Sequence, residues 1–263
     1  MLVAIDVGNT QTVIGVFEAG DGPAGSGPGL ACHWRVATVA SRTADELALL
    51  VDQLFRMQGF EPAEAITGVA VGSVVPRQRS ALREMATKWF RAETLVVEPG
   101  VRTGMPIHYD NPKEVGADRI ADAVAAFERY GGPTIVVDFG TATTFEVVSQ
   151  AGEYMGGVII PGIEISLDAL FSRAALLSRV ELVEPRRVLA KNTIESVQSG
   201  VIYGVAAQVD GLCRRLEEEV GPATVVATGG LAGLIAPHSE AIDYHDPWLT
   251  LEGLRIIYGR NIP

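Results

Sequence analysis

The chain has 263 residues, of which 48% are hydrophobic and 20% charged, with 29 Gly, 14 Pro and only 2 Cys; that profile excludes a disordered tail, a collagen-like repeat and a disulfide scaffold. A formal charge of -11, from 21 basic against 32 acidic residues, argues against nucleic acid or an anionic membrane as partner, since the sequence has no basic patch to offset it. Cys32 and Cys213 lie outside any CxxC pair, the start Met-Leu-Val-Ala-Ile-Asp lacks a basic flank, and no eighteen apolar residues run together, so the expectation is a cytoplasmic chain with two core thiols and no zinc site, signal peptide or membrane span.

Residues 2–5 and 12–17 read as two strands joined by a tight turn. Residues 19–30, rich in Gly and Pro, read as an exposed loop before a third strand over 31–36. Thr43-Ala44-Asp45-Glu46 has capping-box spacing, and Leu47, Leu50, Leu54 and Met57 follow at helical intervals before Gly59. Residues 66–75 predict a buried strand, Pro76 opens a helix to about residue 90, and residues 94–97 predict another strand. A loop over 98–113 leads into a helix over 115–130 that Gly131-Gly132 closes.

Strand grammar then restarts at residues 134–138, and the chain copies itself. At an offset of 132, Asp6, Gly8, Thr12, Val16, Ala19 and Gly20 meet Asp138, Gly140, Thr144, Val148, Ala151 and Gly152. A repeat of about half the chain predicts two related α/β domains, residues 1–115 and 116–263, not a short-period solenoid. The second half continues with strands over 145–148 and 154–160, helices from about 163 and 193, a strand over 224–227 and a last helix over 249–258.

Asp6-Val7-Gly8-Asn9-Thr10-Gln11-Thr12 and Asp138-Phe139-Gly140-Thr141-Ala142-Thr143-Thr144 each follow an apolar strand with a carboxylate, a glycine and hydroxyls. Glycine permits a tight turn and close approach, and successive N–H groups and hydroxyls can face phosphate oxygens. One such turn alone reads as an ordinary hairpin; a matched pair reads as two grips on one polyphosphate. Carboxylates do not bind an anion directly, so their use would run through a cation such as magnesium, which takes oxygen ligands and bridges phosphates. Asp118, in Gly116-Ala117-Asp118-Arg119, is equally well a charge at a helix start or the carboxylate that takes a proton from an acceptor alcohol. Gly156-Gly157 with Pro161-Gly162 and Thr228-Gly229-Gly230 suit close packing or a ligand, and Thr193 suits a helix cap or a hydroxyl donor, with packing and capping as the plainer readings. Gly20-Asp21-Gly22-Pro23-Ala24-Gly25 formally fits GxGxxG but opens no helix, and GxxxxGK[ST], HExxH and GxSxG are absent. Trp34, Trp89 and Trp248 are separate and read as core, not as a base-stacking platform.

The duplicated Asp-x-Gly turn resembles the acetate and sugar kinase/actin-like superfamily, in which two ribonuclease-H-like domains clamp a nucleotide in an inter-domain cleft. A finer likeness lies in Asp6-Val7-Gly8-Asn9-Thr10, Tyr109-Asp110-Asn111-Pro112, Gly116-Ala117-Asp118-Arg119, Asp138-Phe139-Gly140-Thr141-Ala142-Thr143, Gly156-Gly157, Lys191-Asn192-Thr193, Gln198-Ser199-Gly200 and Asp246-Pro247-Trp248. In that order they resemble the type III pantothenate kinases. The resemblance implies ATP-dependent phosphorylation of pantothenate, the first committed step of coenzyme A synthesis, by a cytoplasmic homodimer. It implies that Asp6, Val7, Gly8, Asn9, Thr10, Gln11, Thr12 and Val13 form one phosphate segment and Thr141 the other. It implies Asp118 as general base, Tyr109, Gly116, Ala117, Asp118, Arg119 and Thr193 on pantothenate, and Asp138 on a monovalent cation, potassium or ammonium. Two other readings of the same constellation are a different small-molecule kinase and a non-catalytic nucleotide-binding regulator of the same fold.

Overall fold

A computed structural model describes residues 1–18, 29–174, 177 and 179–262. Its strands are β1 (Leu2–Val7), β2 (Gln11–Phe17), β3 (Leu30–Ala37), β4 (Gly68–Ser73), β5 (Glu93–Val96), β6 (Thr134–Phe139), β7 (Ala142–Val148), β8 (Tyr154–Pro161), β9 (Thr224–Thr228) and β10 (Tyr244–His245). The helices are α1 (Ala44–Met57), α2 (Pro62–Ala65), α3 (Pro76–Met85), α4 (Ala117–Tyr130), α5 (Ile163–Arg173), α6 (Thr193–Val220), α7 (Ala232–Ile235) and α8 (Leu249–Asn261). The chain forms two compact units. The first holds Met1–Met105, Asp110–Ala125 and Thr250–Pro263; the second holds Pro106–Tyr109 and Ala126–Leu249.

Each unit carries one five-stranded sheet, ordered β3-β2-β1-β4-β5 in the first and β8-β7-β6-β9-β10 in the second. In both, the first three strands pair antiparallel and the last two add in parallel, which is the ribonuclease-H-like arrangement. The expected duplication is therefore present strand for strand. Its register differs from the sequence reading. Val7 pairs with Thr12, but Phe139 pairs with Thr143, so the second turn is one residue shorter and the offset falls from 132 before the turn to 131 after it. Thr12 corresponds to Thr143 and Val16 to Val147, not to Thr144 and Val148. The β-bulges agree: one lies between Val16 and Phe17, the other between Val147 and Val148. The matches proposed for Ala19 and Gly20, the loop over 19–28 and the GxGxxG segment lie outside the described residues.

Local chemistry explains most elements. The Thr43 hydroxyl accepts from the Glu46 N–H and the Glu46 carboxylate accepts from the Thr43 N–H at 2.8 Å, closing the expected capping box of α1. The buried stripe of α1 runs through Ala44, Leu47, Ala48, Val51 and Phe55, while Met57 is exposed. The predicted helix from Pro76 ends at Met85 and passes into a π-helical turn over Ala86–Phe90. Trp89 is not core: it is half-exposed, and its indole N–H donates to Asp45 at 2.8 Å. Cys213 is buried, and Cys32 is only partly so.

Alternate residues of the central strands face one core in each unit. Val3, Ile5, Val7, Ile14 and Val16 pack against Leu47, Val51, Phe55 and Leu82 in the first. Ile135, Val137, Phe139, Phe145 and Val147 pack against Leu167, Ile202, Val209 and Cys213 in the second. Because side chains alternate, Asp6 and Asp138 belong to the opposite faces. On that face of the first sheet, glycines admit the last helix. A Cβ at Gly15, Gly68 or Gly72 would strike Leu251, Tyr258 or Leu254 of α8. Gly253 lies so close to α4 that a Cβ there would come 1.9 Å from the Ala121 carbonyl oxygen. These contacts put residues 250–262 in the first unit. With residues 117–125 there as well, the compact units do not follow a single cut after residue 115.

Candidate functional site

In the first unit, β1 delivers Asp6 half-buried to the end of the sheet, and the chain turns at Gly8, whose N–H donates to the Gln11 carbonyl at 3.0 Å. A Cβ at Gly8 would meet that same carbonyl at 3.0 Å, so the turn leaves little room for a side chain. Asn9, Thr10 and Gln11 stand exposed. The base of the turn is braced: the Thr38 N–H donates to the Thr10 carbonyl, the Thr12 and Thr38 hydroxyls share a 2.8 Å hydrogen bond, and Arg35 donates to the Gln11 side chain at 3.1 Å. An exposed tip on a rigid base is the arrangement in which backbone donors cost little to order around an anion.

The second unit builds the corresponding turn more tightly. The Gly140 N–H donates to the Ala142 carbonyl at 3.1 Å, leaving Gly140 and Thr141 exposed. Two glycines distant in sequence close on it. A Cβ at Gly162 would lie 2.2 Å from the Thr141 carbonyl oxygen and 2.7 Å from that of Gly140. A Cβ at Gly229, which has φ +92°, would lie 2.3 Å from Oδ1 of Asp138 and 2.7 Å from the Phe139 backbone. Pro161-Gly162 and Thr228-Gly229-Gly230 thus close around the Asp138–Thr141 segment. Asp138 pairs in register with Thr144, which places both side chains on one face. The Thr144 hydroxyl is buried and has no hydrogen-bond partner. Glu146, fully buried, lies two residues farther along the same face.

Asp118 is half-buried in the first turn of α4. Its Oδ1 accepts from the Arg119 N–H at 2.8 Å, and Arg119 itself is buried. Tyr109 stands edge-on to Tyr154, with ring centroids 6.3 Å apart, and lies over Gly156, whose φ of +124° suits glycine. The plain reading of Thr193 as a cap is corrected: Asn192 caps α6 by accepting from the Glu195 N–H at 2.9 Å, and Thr193 is the exposed first helical residue. Gln198 and Ser199 hold the preceding loop, donating to the carbonyls of Glu181 and Val188, both at 2.7 Å. A cavity of about 310 Å³ between β8, α5 and α6 is lined by Ile160, Pro161, Leu167, Leu170 and Val201 with no charged side chain, so it does not suit a triphosphate.

A family model described as type III pantothenate kinase matches residues 2–215. The type III pantothenate kinase of Moorella thermoacetica is 56% identical over 262 residues, covering 99% of this chain and all of that one. That of Myxococcus xanthus is 55% identical, covering 99% of each.

The chain belongs to the type III pantothenate kinase family.

The family's fold reaches well beyond its close relatives. The activator of the 2-hydroxyisocaproyl-CoA dehydratase from Clostridium difficile, solved with bound ADPNP, superposes with a TM-score of 0.54 at 13% identity over 98% of this chain and 93% of that one. The inorganic polyphosphate/ATP-glucomannokinase from Arthrobacter sp. strain KM gives 0.50 at 15% identity over 99% of each. At such identities the likeness is one of fold. Within the type III kinase, the first unit holds Asp6–Val13 with Gly116–Arg119, and the second holds Asp138, Thr141, Tyr109 and Thr193. Sequence reading did not single out Glu146, although a lone acid within Ala142–Val148 interrupts an otherwise uncharged strand, nor the apposition of Gly162 and Gly229 to one turn, which has no local signal.

Proposed function

We propose that this type III kinase transfers the γ-phosphoryl group of ATP to the primary hydroxyl of pantothenate, giving 4'-phosphopantothenate and ADP, the entry step of coenzyme A biosynthesis. The observation that carries the reading is identity above 50% over essentially the full length of curated relatives bearing that name. The exposed, braced turns at Asp6–Val13 and Gly140–Thr141 support it as the groups that hold the phosphates, since both offer backbone N–H groups and hydroxyls. Asp118 serves as general base: with Oδ1 engaged by the Arg119 N–H, Oδ2 takes the acceptor's proton as the alcohol oxygen bonds to the γ-phosphorus and the bond to ADP breaks. Tyr109, Gly116, Ala117, Arg119 and Thr193 line the pantothenate side.

Among the described residues no three His, Cys, Asp or Glu gather as a metal cluster. The oxygen-only donors at Asp138, its carboxylate with the unpartnered Thr144 hydroxyl on the same face, fit potassium or ammonium, and Asp6 fits magnesium that keeps water and phosphate ligands. When bound, these cations would neutralise phosphate charge. We place the reaction in the cytoplasm, where ATP is abundant and free thiols persist, and infer a homodimer from the exposed Met155, Ile159, Ile165, Leu170 and Ile194 of the second unit.

The test is ADP release by purified protein given pantothenate or a panel of sugars, with and without potassium. Pantothenate-specific, potassium-stimulated release is expected. Release with sugars alone would assign another kinase, and none with any acceptor would favour a regulator.

A further inference from the structure

Among the described residues, the carboxylates of Asp118 and Asp138 each rest against a glycine. The contact between Asp138 and Gly229 is entangled with the backbone, because residue 229 has φ +92° and a Cβ there would also strike Phe139. The contact between Asp118 and Gly116 is not. A Cβ at residue 116 would lie 2.3 Å from Oδ1 of Asp118; its next contacts, Cγ of Asp118 at 3.5 Å and Val74 at 3.8 Å, are ordinary. Gly116 is not among the glycines with left-handed φ, so its φ does not itself call for glycine. Its carbonyl takes the first helical hydrogen bond of α4, from the Ile120 N–H at 3.1 Å, a cap position at which serine is at least as good as glycine. Neither φ nor helix capping therefore calls for glycine here; among the described residues, the group that occupies the missing side chain's space is the Asp118 carboxylate.

We propose that Gly116 is a positioning residue for Asp118: the absent side chain lets the carboxylate fold back over residue 116, keep its Oδ1 on the Arg119 N–H, and so fix the orientation of Oδ2. This rests on the reading of Asp118 as the base that receives the hydroxyl proton. An added methyl must push the carboxylate away by about 1 Å to restore an ordinary C···O distance of about 3.3 Å. A misplacement of that size costs on the order of 100-fold in rate.

The experiment measures kcat, the KM for ATP and pantothenate, and the melting temperature for Gly116→Ala, Gly116→Ser, Asp118→Asn and the double variant Gly116→Ala with Asp118→Asn. The expected result is a kcat lower by about 30- to 100-fold in both Gly116 variants, with the KM for ATP unchanged. Gly116→Ser should melt no lower than the unsubstituted chain, which separates positioning from helix stability. In the Asp118→Asn background, Gly116→Ala should cost no more than about twofold further, because its target is already gone. Equal losses in the two backgrounds, or normal kcat in Gly116→Ser, would overturn the positioning role while leaving the base intact. Near-normal turnover in Asp118→Asn would instead overturn the base reading.

Discussion

Gly162→Ala puts the second phosphate turn to a quantitative test. The added methyl would sit 2.2 Å from the Thr141 carbonyl oxygen and 2.7 Å from that of Gly140. Relief to about 3.3 Å requires the turn to move by about 1 Å or β8 to back away. Overpacking of this kind costs about 1–3 kcal/mol of stability. If the turn carries the phosphates, displacing it also weakens a charge-assisted hydrogen bond of about 1.5–3 kcal/mol, which corresponds to roughly 10- to 100-fold in nucleotide affinity. Gly211→Ala is the matched control: it lies within α6, nothing stands within 4 Å of the added methyl, and it should stabilise by about 0.5–1 kcal/mol. Titration calorimetry with ADP and thermal melting would be run on both. Weaker ADP binding by Gly162→Ala and unchanged binding by Gly211→Ala are expected. A folded Gly162→Ala protein that binds ADP at full affinity would refute the assignment of this turn to the phosphates.

Thr144→Val removes a buried hydroxyl without a partner and keeps the branched shape, so the cation-free protein should melt at the same temperature or higher; the rise in melting temperature on adding potassium should shrink, and an intact potassium response would remove Thr144 from the cation's donors. Gly253→Ala drives a methyl to 1.9 Å from the Ala121 carbonyl and should destabilise by about 3 kcal/mol or more, read from chemical denaturation; a loss below 1 kcal/mol would mean that α4 and α8 can separate freely. Burial, reinforced by Glu217, Asp210 and Asp243, pushes the Cys213 thiol up to about 12 from an ordinary 9.0. A disulfide reagent at pH 8 should therefore leave Cys213 unmodified until the chain unfolds. Over pH 9 to 12 the unfolded chain loses this proton first, so stability should fall as pH rises, and Cys213→Ser should flatten that fall; an unchanged slope would contradict it.

Features fixed by a few neighbouring residues were legible in the sequence. The capping box at Thr43 and Glu46, the Asp-x-Gly turns and the repeat of β1 and β2 in β6 and β7 all follow from short spacings that physical chemistry constrains locally. What escaped depends on distance or on one-residue geometry. The second hairpin is one residue shorter, yet threonine at both 143 and 144 hid the shift, because either matches Thr12 by residue type. Thr193 resembled a cap, but α6 starts at Thr193 itself, which leaves Asn192 in the cap position with its Oδ1 accepting from the Glu195 N–H. Met57 continued the helical spacing of α1 past the end of the core that the helix covers, and Trp89 found a carboxylate at the surface. Gly162 and Gly229 read as packing residues; that they close on the same turn is a property of strand pairing, visible only once β8 and β9 flank β7 and β6.

On the proposed mechanism a single carboxylate, Asp118, takes the proton from the acceptor alcohol. Asp118→Asn preserves the size of the side chain, and its amide oxygen can still accept from the Arg119 N–H, but it cannot serve as the base. Single-turnover ADP release with pantothenate should fall by about 100- to 10,000-fold while ADP binding by calorimetry stays within about twofold. Release at near-normal rate from a variant that binds ADP normally would rule Asp118 out as the base.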